Sequence, residues 1–267
     1  MLNNITLGQY YPGSSMIHRL DPRVKIVLSI AFIVGVFLVQ NLLGYGLALL
    51  YVLLSVRLST VPFRMLMRGI KPLRFILVLT FILNLFFSTG ETVVFKVFFI
   101  TVTWEGLSLA VHFSLRLVFL VLGTSLLTLT TSPVALADGL ELLMTPLKVI
   151  RFPAHELAMM MTIALRFIPT LLEEADKIMK AQMARGADFE SGNLLARARA
   201  MVPLLVPLFV SAFRRASDLA MAMEARCYHG GENRTRLRVL KVTRLDGYAL
   251  LVTAGLIVLI VLEGILL

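Results

Sequence analysis

Residues 26–56 read IVLSIAFIVGVFLVQNLLGYGLALLYVLLSV, with no charged side chain among them. As one helix this stretch would be about 47 Å long, well over the ~30 Å hydrocarbon core of a bilayer. The polar, glycine-bearing interruption QNLLGYG at 40–46 divides it, and two spans are expected, near 24–42 and 44–57. The rest of the chain agrees. Of 267 residues 58% are hydrophobic and 16% charged, and the mean hydropathy is +0.86. Soluble domains are nearer a quarter charged. Leu, Ala and Met dominate, and no alternating ten-residue strands occur, so an all-α, polytopic membrane protein is expected.

Downstream, a basic segment at 57–74 precedes an uncharged third span at 75–90; a fourth span is expected at 107–131 and a fifth at 247–262. Residues 88–105, with Trp104, read as an outer loop with interfacial aromatics. Residues 132–244 have another texture: charged, rich in Met and Ala, helical, and without an uncharged run long enough to cross. The expected organisation is 1–131, four spans; 132–244, a cytoplasmic insert; and 245–267, the last span. Of the 26 Lys and Arg residues, 24 fall in 1–74 and 132–244; Lys96 and Arg116 are the others. Positive charge gathers on the cytoplasmic side, which places the amino terminus and the insert inside and the carboxyl terminus outside. The same rule explains the net charge of +10 without nucleic acid. The first residues, MLNNITLGQYYPGSS, lack the basic and apolar regions of a cleaved leader.

The insert resolves into three helices. Ser132 as N-cap and Pro133 at the first helical position open one that ends near 145–146. The second runs over about 154–185, with a bend expected at Pro169 and Gly186 as its C′ residue; the third covers about 193–226 and contains Pro203 and Pro207. Each of the two is nearly 50 Å long at about 1.5 Å per residue, which suggests a flat, crossed pair under the membrane.

Enzymatic motifs do not occur. There is no G-x-x-x-x-G-K-[ST] loop and no H-E-x-x-H, and the four histidines are scattered. Cys227 is the one cysteine, so no intramolecular disulfide or multi-cysteine metal site is available. Cys227 and His229 are two apart at a helix end, where their side chains diverge. Asp138 with Glu141, and Glu173 and Glu174 with Asp176, read as solvated faces. Inside the fourth span, His112 and Arg116 share a face one turn apart. Arg116 sits about 18 Å beyond Trp104. It is either part of a substrate path or, the favoured reading, an internal hydrogen-bonding post.

Nine of thirteen methionines lie in the insert, among them Met179, Met183 and Met221. Most fill helix contacts; the alternative is an adaptable surface for a partner. Ala212, Ala216 and Ala220, spaced by four, form a small-residue stripe suited to close helix crossing. EEADKIMKAQMARG (173–186) aligns with RRASDLAMAMEARC (214–227) at an offset of 41, and both end in Ala-Arg plus a small residue. A terminal cation on the helix dipole explains one arginine. Two such ends suit insertion into two grooves, where a guanidinium fork meets carboxylate or carbonyl oxygens and small neighbours allow close approach.

The chain resembles the transmembrane T component of energy-coupling factor (ECF) transporters, the EcfT/CbiQ family, which are ABC-type importers of vitamins and transition-metal ions. The residues that carry the resemblance are YYPGSSMIHRLDPRVK (10–25), LTLTTSP (127–133), ALRFIPTLLEEADKIMKAQMARG (164–186) and AMEARCY (222–228). The second signature departs from the pattern by reading Ala-Arg-Cys. The resemblance implies a multi-pass subunit of the prokaryotic plasma membrane with no catalytic activity and no cofactor of its own. ATP and magnesium would be bound by two partner ABC ATPases, a homodimer or a heterodimer. It also implies that Ala184, Arg185, Gly186, Ala225, Arg226 and Cys227 dock those ATPases. A separate membrane-embedded S component would select the substrate. Met179, Met183, Ala212, Ala216, Ala220 and Met221 are the candidate S-component face. The alternative is a conventional ABC permease that forms the substrate path itself; it predicts one short coupling helix and several polar intramembrane residues.

Overall fold

In the computed structural model the described residues are 10–87, 92–97, 100–187, 189, 193–231 and 239–266. Among them ten α-helices carry the fold: α1 (Met16–Arg19), α2 (Pro22–Leu38), α3 (Leu42–Ser59), α4 (Phe63–Ile70), α5 (Arg74–Phe87), α6 (Trp104–Thr130), α7 (Pro133–Met144), α8 (Ala154–Ala184), α9 (Leu194–Glu224) and α10 (Arg244–Leu266). The expected second, fourth and fifth spans are thus α3, α6 and α10. The first is shorter than expected, because α2 ends at Leu38. The third, α5, continues from α4 through one 3-10 turn.

Where a loop is expected before α6, strands β1 (Val93–Val97) and β2 (Ile100–Thr103) pair antiparallel, with Lys96 opposite Thr101. Val, Phe, Ile and Thr favour extended backbone, which accounts for a ribbon there.

The chain divides into two compact units, and the division falls within α7. One unit contains α1 to α6, the start of α7, and α10. Its core is one face of α2, α3, α6 and α10, with Phe32, Val36, Ala48, Val52, Phe119, Leu122 and Ile260 buried together. The opposite faces are apolar and exposed, as at Ile30, Val34, Leu50, Leu53 and Leu259. An apolar exterior around an apolar core is the arrangement of a bundle solvated by lipid.

At the start of α2, Asp21 is the N-cap and accepts from the Arg23 backbone N–H, with Pro22 in the first turn as expected. Asp246, fully buried in the first turn of α10, does more. Its Oδ2 accepts from the Thr243 N–H and hydroxyl at 2.6 and 2.8 Å, and its Oδ1 accepts from the Asp21 N–H at 2.8 Å. One carboxylate therefore joins two helix starts 225 residues apart in sequence. Asp246→Ala would strand three donors and should destabilise the detergent-solubilised chain by about 1–3 kcal/mol, read as a lower midpoint of thermal unfolding. Burial alone would raise the Asp21 carboxyl. The Arg23 guanidinium, bonded at 3.1 and 2.8 Å, outweighs this and holds it below its ordinary value. A depressed carboxyl contributes stability above its unfolded value, near pH 4, and that contribution is lost as pH falls through the folded value. The acid-side decline in stability should therefore be shallower in Asp21→Asn than in the unaltered chain.

By length and composition alone, five helical segments could cross a membrane: Leu42–Ser59, Phe63–Phe87, Trp104–Thr130, Ala154–Ala184 and Arg244–Leu266. This set differs from the expected one at two places. Pro22–Leu38, with 17 residues, is left out for shortness, and α8, expected in the insert, is included. The inclusion reflects the apolar first half of α8, where Met159, Met160, Met161 and Ile163 dilute Glu156 and Arg166. It is the least apolar of the five.

Candidate docking ends and the crossing that carries them

The second unit is built on α8 and α9, each 31 residues, about 46 Å at the usual rise. Both remain continuous through their prolines, Pro169 in α8 and Pro203 and Pro207 in α9. Leu204, Leu208, Ser211, Ala212, Arg215, Leu219 and Met223 of α9 are half-buried and recur at helical spacing. From this row Arg215 donates to Glu174 Oε2 of α8 at 3.1 Å, and Ser211 hydrogen bonds to the same carboxylate.

Glu174 and Arg215 are equivalent in the 41-residue alignment. The two helices thus touch through positions that the alignment pairs. Arg185 lies eleven residues beyond Glu174, and Arg226 eleven beyond Arg215. Each arginine is then about 16 Å along its arm from the crossing.

The two ends are the same structure. In α8, Gly186 N–H donates to Met183 O and Ala187 N–H to Gln182 O, both at 3.0 Å. In α9, Cys227 N–H donates to Glu224 O at 2.8 Å and Tyr228 N–H to Met223 O at 3.1 Å. These paired bonds define a Schellman turn, with arginine at the cap position each time. Gly186 has φ +89° and Cys227 φ +54°. Besides being small, the two third-position residues share a left-handed backbone. Cysteine adopts it at a cost of about 1–2 kcal/mol, whereas glycine is at home there. Cys227→Gly should slow amide exchange at 226–228 by about five- to tenfold, and Cys227→Ala should not; equal effects would contradict the left-handed requirement. All six residues, Ala184, Arg185, Gly186, Ala225, Arg226 and Cys227, are exposed.

Of the residues expected to face a partner, Met179 and Ala212 are half-buried, while Met183, Ala216, Ala220 and Met221 are exposed. The structure adds a broader apolar row that was not expected: Val202, Val206, Phe209, Val210 and Phe213 of α9 are all more than half exposed. Their spacing, i, i+4, i+7, i+8 and i+11, is legible as a helical stripe, but the uncharged residues around it hide which side is the stripe.

In the first unit, Arg116 Nη2 donates to Phe37 O and Val39 O at 3.4 Å each, and its guanidinium lies over the Phe37 and Phe113 rings at 5.2 and 5.6 Å. It caps the carbonyls at the end of α2. His112 Nδ1 is 2.7 Å from Ser108 O, and its own carbonyl accepts from the Tyr45 hydroxyl at 3.1 Å. A further acid, Glu263 of α10, has both carboxylate oxygens buried; a Cβ at Gly44 would lie 2.8 Å from one of them.

Residues 13–237 match the model of the family described as CbiQ, cobalt transport protein. Full-length relatives carry the name energy-coupling factor transporter transmembrane protein EcfT. That of Thermosediminibacter oceani is 56% identical over 257 residues, covering 96% of this chain and 97% of the relative. That of Acidaminococcus fermentans is 56% identical over 260 residues (97% of each), and that of Bacillus subtilis 50% over 266 residues (100% and 98%). An α-helical membrane unit and a matched pair of capped helix ends thus occur in a chain that is half identical to such proteins along its length: it belongs to the EcfT/CbiQ family of energy-coupling factor transporter membrane components.

Proposed function

We propose that this chain is the non-enzymatic coupling subunit of an ECF importer. Two ABC ATPases dock on residues 184–186 and 225–227, with Arg185 and Arg226 entering one groove each. The observation that carries this reading is the pair of identical, exposed, arginine-capped turns, equally far from the contact between α8 and α9. Partners related by a two-fold axis need such a pair. ATP and magnesium belong to the ATPases. Their motion is passed through α8 and α9 to an S component seated on the exposed apolar face of α9, together with Met183, Ala216, Ala220 and Met221. That subunit would select the cargo, a vitamin or a transition-metal ion. The distribution of 24 of the 26 basic residues supports an amino terminus and insert on the cytoplasmic side, a carboxyl terminus outside, and α8 lying at the membrane surface. Isolating the tagged chain from its native membranes tests the assembly: two ATPase subunits and one small membrane protein should accompany it. Recovery of the chain with no ATPase would refute the reading.

A further inference from the structure

We propose that His155 is a positioning residue for the second docking end: it holds Tyr228, and through Tyr228 the turn that presents Arg226. The inference rests on the docking reading given above. His155 lies in the first turn of α8, with Nδ1 2.9 Å from Glu141 Oε1 and Nε2 3.2 Å from the Tyr228 hydroxyl. Glu141 comes from α7 and is buried at 9% exposure. A carboxylate accepts only, so it takes the Nδ1–H of the imidazole. The Nε2–Tyr228 hydroxyl bond can then be made with Nε2 as acceptor in the neutral ring or as donor in the imidazolium. The chain then closes over the ring: a Cβ at Gly231 would clash with the His155 ring carbons, so only glycine fits there, and Gly230 has a left-handed φ of +95°. Gly231, in the HGG sequence at 229–231, is therefore packed against His155.

Tyr228 is also the residue whose N–H completes the Schellman turn, bonding Met223 O. The same residue is thus tied through its backbone to the helix that ends at Arg226 and through its side chain to the start of α8, 73 residues earlier. The first end differs by chemistry. Its equivalent of Tyr228 is Ala187, which has no hydroxyl to offer. The two ends share a backbone turn, and the hydroxyl bond to the start of α8 belongs to the second.

The test begins with amide exchange on the full chain in detergent, without partners. Tyr228→Phe, which keeps the ring and removes the hydroxyl, should speed exchange at 226–228 by about three- to tenfold and leave 185–187 unchanged. His155→Ala should do the same, with no further gain in the double variant. His155→Gln, which can still present an acceptor near Tyr228, should restore part of the protection. ATPase binding at the second end alone should weaken, while the first end keeps its partner. Unaltered exchange at 226–228 in Tyr228→Phe would overturn the inference. If Arg226→Ala leaves ATPase binding intact, the docking reading fails, and the partner-free exchange still decides whether His155 holds the turn.

Discussion

Replacing Arg185 and Arg226 together with alanine is expected to abolish recovery of the ATPases with this chain, and with it transport. Both arginines are exposed at helix caps, and the turns are closed by backbone bonds that do not involve the guanidinium groups. Their removal costs the fold little, within about 0.5 kcal/mol for surface changes of this kind. Truncating one partner of a buried, hydrogen-bonded charge pair at an interface costs about 2–5 kcal/mol. Two such truncations weaken binding by about a thousandfold or more, beyond what detergent isolation tolerates. Each single substitution should leave a weakened assembly, and the double none. Undiminished ATPase recovery from the double variant, with the chain inserted and folded, would refute the docking role.

The second large effect is expected on the opposite partner. Phe209 and Phe213 are 62% and 72% exposed in the apolar row of α9. Large aromatics in such a position anchor interfaces, and burying an unpaired charge in their place is strongly unfavourable. Phe209→Asp with Phe213→Asp should release the S component, with at least about a hundredfold loss of affinity, while both ATPases remain bound. The two sets of substitutions are thus expected to separate the partners cleanly. Retention of the S component by the aspartate pair would remove this face from the interface.

Most of the helical layout was legible because it is local. An uncharged run, a polar break at 40–46, Asp21 before Pro22 and Ser132 before Pro133 each report on a few neighbouring residues, and the helices begin where these signals stand. The repeated Ala-Arg ending was legible as text, but its physical basis was not. Cys227 looks like a small residue in sequence and is a strained one in its turn. What sequence could not supply were long-range partners. Nothing near Asp246 announces Asp21, nothing near His155 announces Tyr228, and the pairing of Glu174 with Arg215 needs the crossing itself. Arg116 was legible as an anomaly within an apolar span; the helix end it caps lies 77 and 79 residues away.

The central claim is that the two capped turns are ATPase contacts, and one experiment addresses it directly. Cys227 is the chain's one cysteine and is exposed within the second turn. A photoreactive label on Cys227 in the isolated assembly should form its adduct with an ATPase subunit. A Gly186→Cys chain in a Cys227→Gly background should do the same from the first turn, each label marking a separate ATPase copy. Adducts with lipid or with the small membrane subunit at both positions, and none with an ATPase, would contradict the account.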